Sequence, residues 1–246
     1  MAQIKLRVWN LLFRLPRSLS RRVFLSKSLF KLLFSEGYTA LNELYRKMEG
    51  ELPEKGFFLE IGGNDGISQS NTKHLELYKG WHGILVEPNP ENFRRMGLTR
   101  DSKTHKVHAA CVPAGWREPT VTLAYADLQT ITLGVNLDLE DQDAHLISGS
   151  KHSKHAEASS TFSAPAKTLT QILVDCGAPP CIDFFSLDVE GAEIPVLEGL
   201  DFSSFSFSKI LVESRSIEEL QEFMQHRGYR LSAQLSVHDY LFIPKG

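Results

Sequence analysis

Acidic side chains end or interrupt apolar, strand-like runs at several points in the sequence. Glu60 lies in the run Gly56–Ile61, and Glu87 and Asp188 each follow a later apolar run. A carboxylate in such a place can accept hydrogen bonds from a ligand hydroxyl, take up a proton or hold a cation. Since the carboxyl ends of parallel strands share one edge of a sheet, these residues predict a ligand crevice at that edge.

A glycine cluster follows the first run, in the segment Leu59–Gly66 with the sequence Leu-Glu-Ile-Gly-Gly-Asn-Asp-Gly. Its three glycines let the backbone approach a ligand closely. The spacing is not GxGxxG, and no Gly-Lys-Ser/Thr follows, so a pyrophosphate cradle is not indicated. Glu60 and Asp65 suit a positively charged ligand, and S-adenosylmethionine carries both a sulfonium and an ammonium group.

Glu87 ends the run Ile84–Val86, one strand further along the chain. An acidic residue there accepts hydrogen bonds from the two ribose hydroxyls of an adenosine. This feature alone does not separate a methyl donor from NAD.

The third run leads into the segment Asp-Val-Glu-Gly-Ala-Glu, which begins at Asp188. A charge at the end of a buried strand is costly unless it is used or paired. Asp188 and Glu213 are the candidate bases for an alcohol, with His238 as an alternative. Together with Glu190, the two carboxylates could instead hold Mg²⁺. Glu193 fits a carboxylate that meets the dipole of the next helix.

Alternating strand and helix patterns place these residues. The predicted strands are Gly56–Ile61, Gly83–Val86, Lys106–Val112, Ile182–Val189 and Lys209–Glu213, with a closing pair at Tyr229–Leu235 and His238–Ile243. The predicted helices are Ser70–Tyr78, Pro90–Met96, Thr168–Cys176, Ala192–Leu200 and Ile217–Gly228. The alternation predicts an α/β fold with a mainly parallel, doubly wound sheet that ends in an antiparallel hairpin.

Charge divides the chain into two parts. Residues 1–35 carry eight Lys and Arg and no acid, which leaves 19 basic against 30 acidic residues in the remainder. We therefore predict a basic helical segment at 1–50 and a catalytic domain at 51–246, and we expect no nucleic-acid partner because the domain is acidic. The basic segment suits a helical cap over the crevice, a peripheral contact with an anionic membrane or a transit peptide.

The stretch between Tyr125 and Pro165 shows little periodicity. Its part Ser148–Ser163 is rich in Ser, Ala and His, and we expect a mobile loop beside the site. The histidines His145, His152 and His155 fit a solvated loop better than a metal site. Three cysteines and no CxxC pair favour reduced thiols and a cytoplasmic location.

Taken together, these segments resemble the FkbM family of methyltransferases. The resemblance covers about residues 55–245, and Asp183–Leu200 is its most specific part. It implies a Rossmann-like class I methyltransferase fold, S-adenosylmethionine at the carboxyl ends of the first strands, and O-methylation of a sugar, glycan or natural product. By position, Glu60, Gly62 and Asp65 lie by the methionine moiety, Glu87 by the ribose and His108–Cys111 by the adenine. The cofactor-binding residues implied are Glu60, Gly62, Gly63, Asn64, Asp65, Glu87, Pro88, Ala110 and Asp188; the candidate catalytic residues are Asp188, Glu190 and Glu213.

Two rival functions remain at this point. An NAD-dependent oxidoreductase conflicts with the missing third glycine of the dinucleotide fingerprint and with the closing hairpin. A non-catalytic binding module on a methyltransferase fold conflicts with the presence of Glu60, Glu87 and Asp188 together.

Overall fold

The computed structural model describes residues 52–126, 129–132 and 160–246. The helices expected before residue 51 and the three loop histidines lie outside these ranges, so the domain boundary near residue 50 remains a prediction. Within the described part of the chain, no helix is long and apolar enough to cross a membrane.

A seven-stranded sheet organises the described residues. In chain order its strands are β1 (Phe57–Ile61), β2 (His82–Glu87), β3 (His105–His108), β9 (Phe184–Leu187), β11 (Ile210–Glu213), β12 (Tyr229–Gln234) and β13 (Asp239–Pro244). Their spatial order is β12-β13-β11-β9-β1-β2-β3. All pairs are parallel except those of β13, which runs antiparallel to β11 and to β12. The predicted Rossmann-like sheet with a closing antiparallel hairpin is therefore confirmed.

The central strands are apolar on both sides because helices and loops cover both faces. Leu59 and Phe185 belong to one core cluster, whereas Phe58 and Phe184 belong to the cluster on the opposite face. Near-continuous apolar runs are what doubly covered parallel strands require. Polar groups on these strands are consequently concentrated at their ends.

In the described ranges, four α-helices connect the strands: α1 (Pro90–Thr99), α2 (Leu169–Asp175), α3 (Glu193–Glu198) and α4 (Ile217–His226). Asn89 caps α1, with its side chain accepting hydrogen bonds from the amides of Glu91 and Asn92. Thr168 and Gln171 form a reciprocal capping box on α2. These caps satisfy amides that the first helical turn leaves without partners.

Two parts of the chain differ from the sequence expectation. The helix predicted at Ser70–Tyr78 is instead a short π-helix, Leu75–Lys79, preceded by an irregular loop. The stretch beyond Pro119 forms part of a second sheet of order β4-β7-β5-β6, made of Ala110–Cys111 (β4), Thr120–Ala126 (β5), Gln129–Thr132 (β6) and Ser160–Lys167 (β7). A short parallel pair is formed by Cys181–Ile182 (β8) and Ser206–Phe207 (β10).

The expected loop at Ser148–Ser163 is thus wrong for residues 160–163, which pair antiparallel with β5. Small and polar residues dominate β7, and its inward side chains Phe162 and Ala164 are too few to produce a clear alternation. Pairing with β5, rather than local hydrophobicity, makes this segment a strand.

Gly83 offers a test of the β1–β2 pairing. A Cβ at this position would clash with the carbonyl oxygen of Phe58 on β1. We expect Gly83→Ala to lower the free energy of unfolding by about 1–3 kcal/mol, as overpacking does. Gly97→Ala is the matched control, because a Cβ in that part of α1 meets nothing within 4 Å. Chemical denaturation should show the control as stable as the parent or more so; equal losses in both would contradict the pairing argument.

Candidate active site

A cleft that is partly open to solvent lies at the carboxyl edge of the central strands. It is bordered by the ends of β1, β2 and β9, by β4 and the residue before it, and by one residue of β5. The residues that line it are Ile61, Gly62, Asn64, Gln69, Glu87, Pro88, Asn92, Ala109, Ala110, Cys111, Leu123, Asp188, Val189, Glu190, Ala192 and Val196.

The loop after β1 begins at Gly62 with a left-handed backbone, φ 85°. A side chain there would clash with the carbonyl oxygen of Asp188. The amides of Gly62 and Gly63 both donate to the carbonyl of Val86, at 3.1 and 3.0 Å. The glycine therefore brings the ends of β1, β2 and β9 together at the floor of the cleft.

Glu87 is buried at the end of β2 and lines this floor. One carboxylate oxygen accepts the amide of Asn64 at 2.8 Å, and the other accepts the amide of Asn89 at 2.9 Å. Burial raises the pKa of Glu87 to about 7, although these amides and the Asn92 side chain act to lower it. A carboxylate has about four acceptor sites, so Glu87 can accept a further hydrogen bond from a ligand hydroxyl, such as one of a ribose, beside those from the two amides and Asn92.

Backbone strain is concentrated in the same place. Four non-glycine residues of the described chain have positive φ: Lys55, Asn64, Gln69 and Glu190. The last three all line the cleft. Left-handed side-chain-bearing residues cost free energy and cluster at functional sites, so this distribution marks the cleft as the site.

Carboxylates crowd the side of the cleft nearest β11. Burial, and next the negative charge of Glu213, raise the pKa of Asp188 well above its usual value. Burial likewise raises the pKa of Glu190 to about 7, while Arg215 acts to lower it. The pKa of Glu213 is raised by burial and by the negative charge of Asp239, its cross-strand partner on β13. A carboxyl group that titrates near neutral pH is suited to proton transfer.

The structure brings most of the expected cofactor residues to the cleft wall: Gly62, Asn64, Glu87, Pro88, Ala110 and Asp188 all line it. Gly63 instead faces the interior, where a Cβ would press on Leu85 and Met96. Asp65 does not line the cleft. Its carboxylate accepts hydrogen bonds from the amides of Ile67 and Ser68, at 2.9 and 2.7 Å.

Glu60 requires a correction. It does not line the cleft, because its carboxylate points into the protein and forms a 2.8 Å ion pair with Arg100. The amide of Asn71 donates to it as well, at 2.7 Å. We therefore assign Glu60 to holding the loop rather than to contact with the methionine moiety.

Of the three candidate catalytic residues, Asp188 and Glu190 line the cleft, whereas Glu213, at the end of β11, does not. Glu213 acts on the other two through its charge. In the described residues, no three His, Cys, Asp or Glu side chains are grouped so as to hold a metal ion. The expectation of Mg²⁺ thus finds no support in the geometry.

Sequence reasoning missed several lining residues. Asn92 lines the cleft from the first turn of α1, five residues after Glu87, and its helical spacing from the Asn89 cap is a usable signal. Gln69 and Leu123 carry no such signal, because a loop conformation and a non-sequential strand pairing bring them to the cleft.

Residues 60–231 of the chain match the family model described as the methyltransferase FkbM domain. No curated protein matches the sequence. Three solved structures are distantly similar in shape. TrmK of M. capricolum, in complex with S-adenosylhomocysteine, is 8% identical, with a TM-score of 0.44 over 83% of this chain and 66% of that one. Methyltransferase FkbM from Methylobacillus flagellatus KT is 13% identical, with a TM-score of 0.45 over 97% of this chain and 58% of that one.

The third, a SAM-dependent methyltransferase from Aquifex aeolicus, is 9% identical, with a TM-score of 0.39 over 94% of this chain and 98% of that one. The chain spans less than two thirds of the length of the first two structures.

Glu87 gives a prediction for ligand binding. We expect Glu87→Ala to weaken S-adenosylhomocysteine binding by about 1.5–3 kcal/mol, the loss expected for hydrogen bonds to a charged group. Because the pKa of Glu87 is about 7, binding to the parent should also weaken as the pH falls from 8 to 6. Calorimetry of Glu87→Gln, which has no titrating group, should remove part of that pH dependence. Unchanged affinity in Glu87→Ala would place the ribose elsewhere.

The carboxylates of the cleft also predict a pH dependence of stability. The raised pKa values of Asp188, Glu190 and Glu87 mean that the folded protein holds protons that the unfolded chain has lost. Their contribution is complete at low pH and is lost as the pH rises through the folded pKa values. His74, whose pKa burial lowers to about 3, acts in the opposite sense below about pH 6.5.

Between pH 6.5 and 8 the carboxylates therefore dominate. The thermal midpoint of the ligand-free protein should fall over this range, and Asp188→Asn should flatten the slope. A midpoint that rises with pH in the parent would contradict the electrostatic argument.

Proposed function

The chain belongs to the FkbM family of S-adenosylmethionine-dependent methyltransferases, and from this premise we propose that it methylates a hydroxyl oxygen of a sugar, glycan or natural product with Asp188 as the base. The family match covers both the glycine loop and the segment that begins at Asp188. The observation that carries the proposal is the position of Asp188, which lines the cleft directly beside the Gly62 backbone.

The cleft fits S-adenosylmethionine on its own evidence. Glu87 presents a buried carboxylate that suits the hydroxyls of a ribose. Ala109, Ala110 and Leu123 form an apolar wall beside it that suits an adenine ring. When bound, the donor supplies an electrophilic methyl group on a sulfonium that the acidic side of the cleft favours electrostatically.

An alcohol must lose its proton as its oxygen becomes a nucleophile, and the chain's own residues supply the acceptor of that proton. Asp188 lines the cleft with a pKa held well above normal by burial and by Glu213. A base with a raised pKa is stronger than an ordinary carboxylate, so it takes a hydroxyl proton more readily near neutral pH. The chain's remaining task is to hold the acceptor oxygen in line with the methyl group.

Glu190 and Glu213 set the strength of this base. Both raise the pKa of Asp188 through their negative charges, and Arg215 acts to lower the pKa values of Glu190 and Glu213, which favours their charged forms. The left-handed backbone of Glu190, φ 53°, turns the chain two residues after the base, and Glu190 lines the cleft. We therefore treat Glu190 and Glu213 as residues that tune Asp188.

A reducing location fits the chain. None of the three cysteines is in a disulfide, which supports the proposal that the enzyme works in the cytoplasm. We also propose a peripheral membrane contact through residues 1–35, because this segment is basic. It lies outside the described residues.

Asp188→Asn tests the role of the base. We expect kcat to fall by roughly 10²–10⁴, because the amide keeps the shape and removes the proton acceptor. Affinity for S-adenosylhomocysteine should change little. The assay follows methyl transfer from labelled S-adenosylmethionine to a panel of hydroxylated glycans and metabolites.

Asp183→Asn is the matched control, since Asp183 lies at the amino end of β9 whereas Asp188 lies at its carboxyl end. Its carboxylate accepts the amide of Phe57 at 2.8 Å and has no place in the cleft. The control should lose stability and keep kcat. Near-normal kcat in Asp188→Asn would remove Asp188 as the base, and activity lost on chelation and restored by Mg²⁺ would make it a metal ligand.

A further inference from the structure

A buried ion pair lies directly behind the loop that follows β1. Arg100 and Glu60 are 0% and 3% exposed at their side chains, and their charged atoms are 2.8 Å apart. The hydroxyls of Ser70 and Thr72 also donate to the Glu60 carboxylate. The pair is therefore enclosed by the loop of residues 62–72, which we call the donor loop.

The end of α1 is hydrogen-bonded to the donor loop at two points, and we call these contacts the grip. Near the loop's end, the Arg100 guanidinium contacts the hydroxyls of Ser70 and Thr72. Near its start, the Thr99 hydroxyl donates to the carbonyl of Asp65 at 2.7 Å. A single turn of α1 thus holds both parts of the loop.

This grip joins the two halves of the cleft. The donor loop contributes Gly62, Asn64 and Gln69 to the cleft wall, whereas β2 and α1 contribute Glu87 and Asn92; we call these two sets of residues the two halves of the cleft. Asn64 also donates its amide to Glu87 across the floor. Any shift of the loop against α1 would change the distance between groups that face one ligand.

Stability alone does not account for such a pair. Removing two charges from water costs several kcal/mol, so a buried ion pair is weak evidence for stabilisation. Neither charge lies on the cleft wall, so neither contacts a bound molecule. Arg100 nevertheless satisfies three oxygen-bearing side chains of different residues, which fixes their relative positions.

We propose that Arg100 is a positioning residue for donor binding: together with Thr99 it holds the donor loop against α1, so that the two halves of the cleft fit opposite ends of S-adenosylmethionine. This inference rests on the proposed function, because it needs the cleft to bind that donor. We therefore expect that loss of the Arg100–Glu60 pair weakens the binding of S-adenosylhomocysteine more than its effect on stability explains.

Thr99→Val tests the grip without disturbing a charge. The substitution is nearly isosteric and removes only the hydroxyl bound to Asp65. The dissociation constant for S-adenosylhomocysteine should rise roughly five- to tenfold, the effect of one lost hydrogen bond. Thr104→Val is the control, because the Thr104 hydroxyl is equally buried but donates to Glu76, at 2.7 Å, rather than to the donor loop. Its dissociation constant should stay within about twofold of the parent.

The double variant Glu60→Gln/Arg100→Met separates affinity from stability. Arg100→Met alone leaves a buried carboxylate unpaired and should lower the thermal midpoint by roughly 6–20 °C. The second change removes that charge and should recover much of the midpoint, yet the grip stays absent and affinity should remain at least about tenfold weaker. Phe207→Leu is the stability control. Phe207 is buried in the core, where it pairs with Ile182, the residue two positions before β9.

A fragment ligand makes the readout specific. 5′-Methylthioadenosine lacks the amino-acid tail and should contact the Glu87 half alone, so its affinity should change less than that of S-adenosylhomocysteine in both grip variants. Parent-like affinity in the double variant, or an equal loss in Phe207→Leu at a matched midpoint, would overturn the inference. Failure of the parent itself to bind S-adenosylhomocysteine would overturn the proposed function and this inference with it.

Discussion

The close approach of β1 and β9 at Gly62 is the contact on which the cleft depends. The Gly62 backbone adopts φ 85° and lies against the carbonyl of Asp188, with no room for a side chain between them. The donor loop therefore starts at the point where Asp188, the proposed base, reaches the cleft. One backbone contact joins the parts of the cleft that we propose bind the methyl donor and deprotonate the acceptor, and the parallel order of β2, β1 and β9 supplies the rest of the floor.

Electrostatics give this floor its chemical character. Several carboxylates lie together at the sheet edge, and burial is the first cause of the raised pKa of Glu87, Asp188 and Glu190. Such an arrangement opposes folding at neutral pH, because charges that repel one another are kept out of water. A ligand with a sulfonium and an ammonium group relieves that repulsion. The cost to the empty protein and the attraction for the donor thus have the same source.

The sequence was most informative where local pattern and function coincide. Apolar runs that end in an acidic residue predicted that Glu87 and Asp188 lie at one edge of the sheet, and both line the cleft there. The prediction works because the carboxyl ends of parallel strands meet at the same edge. Glu60 has the same local pattern but a different role, because its partner Arg100 is 40 residues away and no local signal reveals an ion pair. The strand β7 was missed for a related reason: its partner β5, not its own composition, determines its conformation.

Cys111 has a consequence for the chemistry that the cleft can tolerate. Its thiol lines the same cleft as the base, and burial raises its pKa to about 12. At pH 7 only on the order of one molecule in 10⁵ carries the nucleophilic thiolate. A sulfonium is an alkylating agent, and a reactive thiolate in the same cleft is a competing nucleophile for it. Desolvation keeps the Cys111 sulfur protonated and unreactive, so the cleft can contain a thiol without being alkylated by a methyl donor, and electrophilic inhibitors aimed at Cys111 should react slowly.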